Sequence, residues 1–453
     1  MTFPSLRTSS TMRKQTVISG AGPAGSDSGV LIFVAALPFG LFYESNFIGQ
    51  LYGVELALLF LFPIFLFLSK DRLATSARSV LWLMFLWLVV QAATDLYRDT
   101  YIGDYLRGWA KIVFFALDIY VLAKLLVTEA RLLVFVVAWN IAYVGWNYYF
   151  NFDDVLATWK FGLGFLICNV IAAAVLYVIK SRLAVARIMV AVCFATAAAS
   201  LFLNARNTFL SLSFSGLLFL IASGKWTKSI IDSLWRRSPL LIVLPAALAA
   251  YAAGLIYVGG AASGVFGEEA RQKFVEQRTD ASGDAVLAIL AGGRDEFYSS
   301  TAAIADSPII GYGSWARSSY YYSIYVQGVR EHGTPQQIQE VDRKIWIGEP
   351  LIPTHSYLLG AWVEAGFVGA LFWLLLAWRT FNAIRQGLLL ASRVQVMILL
   401  NAFPFLWNIF FSPFGGTSRL VATAFIVLLL YETRDDMVWD PASSAASSAE
   451  PST

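Results

Sequence analysis

An all-α polytopic membrane protein, with about twelve transmembrane helices and one large helical loop on the outer side, is the fold this chain predicts, and three observations predict it. Hydrophobic residues fill 58% of 453 positions, charged residues fill only 14%, and the mean hydropathy is +0.63. A soluble domain carries about a quarter charged residues, so a soluble protein is excluded. Apolar runs recur with short polar punctuation, and a spanning helix needs roughly 20 such residues. Lys and Arg collect in alternate loops. Lipid leaves an open strand edge without partners, so the spans are helices.

The runs fall at 29–46, 49–69, 77–95, 105–126, 130–150, 157–179, 186–203, 207–223, 239–259, 354–378, 394–412 and 418–432. One set of loops carries Arg7, Arg13 and Lys14, then Lys70, Arg72 and Arg78, Lys124 and Arg131, Lys180, Arg182 and Arg187, Lys225 to Arg237, and Arg379 to Arg393. Basic loops stay in the cytoplasm, so both termini are predicted there. The alternate loops carry Glu44, Asp95, Asp99, Asp104, Asp153 and Asp154. The predicted organisation is a cytoplasmic tail (1–28), nine spans (29–259), a periplasmic loop (260–353), three spans (354–432) and a disordered cytoplasmic tail (433–453). Residues 1–28 lack an early apolar core with a small-residue cleavage site, so they read as a tail and not as a cleaved signal.

Cys168 and Cys193 fall within apolar spans, as small packing residues do. Neither they nor the two histidines have metal-ligand spacing, and no phosphate-cradling glycine loop or Ser-His-Asp spacing stands out. The outer loop holds twelve Asp and Glu against eight Lys and Arg. That acidic balance argues against a nucleic-acid partner.

Chemistry concentrates in the outer loop and its exit. Two amphipathic helices are predicted, at 267–278 and 294–306, the second stopped by Ser307-Pro308. A flexible turn follows at Gly311-Tyr312-Gly313, then an aromatic cluster at Tyr320, Tyr321, Tyr322 and Tyr325. Tyrosines there anchor a membrane interface or stack on sugar rings. His332 and His355 are the only histidines, and His355 opens the tenth span where helix meets water.

Arg294, a short helix, Ser307-Pro308-Ile-Ile-Gly311-Tyr-Gly313, then His355-Ser-Tyr-Leu with Glu364, Gly366 and Gly369 resembles the O-antigen ligase and polymerase superfamily of bacterial membrane glycosyltransferases. The order of motifs and the single large loop after the ninth span resemble the ligase branch. Ser356 stands where that family frequently has Asn. Arg206 matches a further family feature, an arginine at the outer end of a span before the loop.

The resemblance implies a GT-C-like architecture in the bacterial inner membrane, with an active site facing the periplasm. It implies a glycan donor linked to undecaprenyl diphosphate, and as acceptor either a lipid A-core or a growing glycan. Cofactor and metal are not required. Arg206 and Arg294 are expected to grip the diphosphate, since a guanidinium stays charged and binds phosphate oxygens bidentately. His355 is expected to act as base toward the acceptor hydroxyl or to hydrogen-bond the diphosphate. Arg107, Lys111, Lys160, Arg419 and Tyr312 complete the expected substrate contacts, with internal pairing as the rival reading for Arg107 and Lys111. Glu364 is expected in a polar contact inside the bundle, on the face opposite His355. A polymerase of the same superfamily and a twelve-span transporter remain the alternatives.

Overall fold

The structure, a computed structural model, describes residues 25–46, 49–68, 73–150, 158–203, 205–224, 254–268, 295–332 and 350–432, with a few further positions between them. Helices dominate: α1 (Gly25–Ala36), α2 (Gly53–Phe67), α3 (Thr75–Tyr97), α4 (Ile102–Leu125), α5 (Glu129–Phe150), α6 (Gly164–Val178), α7 (Arg182–Phe202), α8 (Arg206–Ser223), α9 (Glu296–Asp306), α10 (Ser319–His332), α11 (Tyr357–Gly387), α12 (Arg393–Phe411) and α13 (Thr417–Glu432). Extended pairing among the described residues is confined to Glu44–Ser45 against Leu51–Tyr52 and a bridge between Arg317 and Leu351.

Among the described residues five helices, α3, α5, α7, α11 and α12, are long and apolar enough to cross a membrane, and α2, α6 and α13 are shorter apolar helices. The 24-residue α4 is long enough, but Asp104, Arg107, Lys111, Asp118 and Lys124 lower its hydropathy. Helices α7 and α8 form an antiparallel hairpin, α11 packs between α3 and α12, and α4 contacts α2, α3 and α13. Their junction is aromatic. Trp87 of α3, Phe115 of α4 and Trp373 of α11 surround Phe414, with Tyr357 at 5.1 Å from it.

Some polar groups inside the bundle find partners on other helices, which lipid cannot supply. Asn169 and Asn401 exchange amide bonds of 3.3 and 2.9 Å between α6 and α12. Serine side chains cap the starts of α7, α11 and α12, at Ser181, Ser356 and Ser392. Ser392 and Gln395 close a capping box at the start of α12. Ser356 Oγ accepts the Leu359 N–H at 3.1 Å and donates to the Ile409 carbonyl at 2.9 Å, joining the start of α11 to α12.

The helix predicted over 294–306 is α9, and it ends before Ser307-Pro308. The tyrosine cluster lies on α10. Most of the predicted 267–278 helix, most of the ninth span and nearly all of both tails lie outside the described residues.

Candidate active site

The turn after α9 is pinned on two sides. Gly311 and Gly313 have φ of +82° and +88°, a region that side chains disfavour. A Cβ on Gly311 would lie 2.6 Å from the Gly366 nitrogen, and one on Gly313 would lie 2.8 Å from Asp95 Oδ1. Helix α11 is interrupted at Gly366 (φ 63°, ψ −157°). At that break the carbonyls of Val363 and Glu364 accept the N–H groups of Tyr312 (2.7 Å) and Gly313 (3.0 Å). Where a flexible turn was expected, the backbone is hydrogen-bonded to both of its neighbours.

The second side is one face of α3, where residues 91, 94, 95 and 98 follow helical spacing. Gln91 donates to Ser314 Oγ at 3.0 Å, and Thr94 donates to the Ile310 carbonyl at 2.9 Å. Asp95 is buried and accepts from the Ser314 N–H (2.5 Å), the Ser314 hydroxyl (2.7 Å) and Trp109 Nε1 (2.7 Å). Arg98 donates to the Gly311 carbonyl at 3.0 Å and to Ser307 Oγ at 2.8 Å. Sequence reasoning used Asp95 only as an acidic loop marker and missed the other three. The available signal was a polar stripe at i, i+3, i+4 and i+7 in an otherwise apolar span.

Beyond the turn, Trp315 adopts φ +52° and donates its N–H to Glu364 Oε1 at 3.3 Å. The other Glu364 oxygen binds Lys111 Nζ at 2.7 Å. Arg317 pairs with Asp104 at 3.2 Å. The internal pairing offered as the rival reading for Lys111 is therefore what the structure shows, with Glu364 of α11 as the partner. Asp118 is fully buried, and neither of its oxygens has a hydrogen-bond partner among the described residues. Residues 316–318 run antiparallel to 350–352, with Ile352 donating to the Ala316 carbonyl (2.8 Å) and Ser318 to the Pro350 carbonyl (3.0 Å). That pairing carries the chain from the turn to His355, which is exposed beside the Ser356 cap.

The remaining predicted residues divide into separate places. Arg206 opens α8, with its guanidinium 5.5 Å from the Tyr257 ring centre. Lys160 is exposed in the π-turn Trp159–Leu163, and its carbonyl accepts from Thr208 at 3.3 Å, so Lys160 and Arg206 stand on touching elements. Arg107 is exposed one turn before Lys111. Arg419, expected among the substrate contacts, is 4% exposed. Its guanidinium binds Glu55 and donates to the Gln50 carbonyl at 3.1 Å, so its charge is balanced inside the bundle. Tyr312 lies within the pinned turn and bonds Tyr321 at 2.5 Å. Arg294 lies outside the described residues, directly before Asp295. Asp295 is buried against Gly328 of α10, where a Cβ would lie 2.8 Å from its Oδ1.

No curated protein and no solved structure matches the chain. The family model described as O-antigen ligase matches residues 191–374, the stretch that contains Arg206, Arg294, the Gly311-Tyr312-Gly313 turn, His355 and Glu364. Over residues 191–374, therefore, the chain is similar to the O-antigen ligase family.

Proposed function

We propose that this membrane enzyme transfers a glycan from undecaprenyl diphosphate to an acceptor hydroxyl at the periplasmic face of the inner membrane, in the manner of a surface-polysaccharide ligase. The observation that carries the reading is the coincidence of the family match with the motif-bearing segment around the pinned turn and His355. In the step itself, the acceptor hydroxyl gives its proton to the His355 imidazole and its oxygen attacks the anomeric carbon. The bond from that carbon to the diphosphate oxygen breaks, and undecaprenyl diphosphate leaves with the electron pair. Arg206 and Arg294 stabilise the charge gathering on the diphosphate, a task for fixed guanidinium groups partly shielded from water. Exposure of His355 supports its meeting a hydroxyl that arrives from outside. Lys160, on an element touching that of Arg206, extends the cationic surface toward the phosphates, and Arg107 offers a second exposed cation.

The test is transfer in vesicles containing the purified chain, lipid-linked glycan and a lipid A-core acceptor. His355→Ala, Arg206→Ala and Arg294→Ala should each lower transfer by about a hundredfold or more, the scale expected for an acid-base group or an electrostatic donor. Full transfer by all three variants would refute this assignment. Glycan attached to the lipid A-core identifies the ligase branch, whereas lengthening of the lipid-linked glycan identifies the polymerase. The transporter reading finds no support in the family match.

A further inference from the structure

The outer tyrosines form a hydrogen-bond chain with a fixed direction. Tyr321 is buried on α10 and donates its hydroxyl to Asp306 Oδ2 at 2.6 Å. A phenol has one hydrogen and a carboxylate has none, so Tyr321 has no hydrogen left for Tyr312. The 2.5 Å contact between them is therefore Tyr312 donating to Tyr321. Tyr312 has then spent its own hydrogen, and its oxygen offers only lone pairs to anything outside. Burial and the bonds to Asp306 and Tyr312 push the Tyr321 phenol above its usual range, which keeps that hydrogen in place.

Two further rings are tied to Tyr312 through Arg98 and Tyr321. Arg98, fixed by its bonds to Gly311 and Ser307, lies 4.9 Å from the Tyr312 ring centre and 5.6 Å from that of Tyr97. Tyr320 packs beside Tyr321 at 5.1 Å. Tyr97 and Tyr320 are 71% and 65% exposed, so their faces are available to a ligand. Exposed aromatic faces beside an oxygen that only accepts suit a sugar ring, which brings apolar C–H faces and donating hydroxyls together. An anionic headgroup fits poorly, because the Tyr312 oxygen and the Asp306 carboxylate both present lone pairs.

We propose that Tyr97, Tyr312 and Tyr320 form a glycan-binding shelf in which Tyr312 accepts a hydrogen bond from a hydroxyl of a pyranose ring. This rests on the reading of the chain as a glycan transferase and names the part of the substrate that meets the outer segment. Arg98 and Asp306 act through the tyrosines, as positioning residues.

The test uses the full chain in nanodiscs, with the oligosaccharide released by mild acid from the host's lipid-linked glycan as the probe. Tyr312→Phe removes the accepting oxygen. Asp306→Asn supplies a donor to Tyr321 and frees the direction of the chain. Each should weaken oligosaccharide binding about tenfold, the scale of one hydrogen bond, and should raise KM for the glycan with kcat near wild type. Tyr97→Ala and Tyr320→Ala remove exposed rings without opening the core, and each should weaken binding several-fold. Wild-type affinity in Tyr312→Phe and Asp306→Asn overturns the shelf. So does a wild-type chain that transfers glycan without binding the oligosaccharide, a result that leaves the transferase reading intact. Absence of transfer by the wild-type chain overturns the transferase reading instead.

Discussion

Lys111 and Glu364 show how a single charge is accommodated within this bundle. Taking either ion out of water costs several kcal/mol, offset only by a close partner of opposite sign. Their 2.7 Å contact, with side chains 13% and 15% exposed, supplies that partner, and the second Glu364 oxygen is used by the Trp315 N–H. The pair thus fixes α4, α11 and the residue after the pinned turn against one another. Lys111→Met and Glu364→Gln should each lower the melting temperature in detergent, and the double variant should recover part of the loss. A coupling of about 1–3 kcal/mol is expected from such a cycle, and strictly additive losses would show that the two residues act independently. Arg419 obeys the same rule more deeply in the bundle, where Glu55 answers its charge. Spacing along one helix could pair Lys111 only with acids of α4. The actual partner is 253 positions away, beyond the reach of helical periodicity.

Among the elements, the turn at 307–314 and the break in α11 depend on each other. The glycine turn, the Ser-Pro stop and the helix before it were legible in the sequence, because each acts through local backbone preference. The grip of α3 was not legible. Thr94 meets the Ile310 carbonyl across 216 positions, and a polar stripe in an apolar span names no partner. Glu364 was phased against His355 on an unbroken helix, whereas Gly366 interrupts the helical geometry just beyond it. A Cβ at Gly366 would overlap the Ile309 carbonyl, and φ +63° disfavours any side chain there. Gly366→Ala should therefore separate the turn from α11. Hydrogen exchange should rise at the N–H groups of Tyr312 and Gly313, which now bond Val363 and Glu364, and glycan transfer should fall at least tenfold because loss of position is costly in rate. Unchanged protection at those two amides would mean that the turn holds its place without the break.

At the scale of the whole molecule, composition revealed a helical membrane protein because no soluble domain can be this apolar. Length and hydropathy together leave five helices among the described residues clearly able to cross, since several others are short or, like α4, carry charges that are balanced only once the bundle assembles. The count of twelve therefore rests on the alternation of Lys and Arg, and that alternation makes a prediction about sides. Arg78 stands at the start of span three and Ser323 follows span nine, so an odd number of crossings separates them if every predicted span crosses. Both residues are exposed, and the native thiols of Cys168 and Cys193 are buried, which leaves a quiet background for labelling. A membrane-impermeant maleimide applied to intact spheroplasts should label Ser323→Cys and leave Arg78→Cys unmodified until the membrane is opened. Labelling of both variants from outside would mean that one predicted crossing between them does not span. That result would move the pinned turn and His355 away from the compartment in which the proposed transfer takes place.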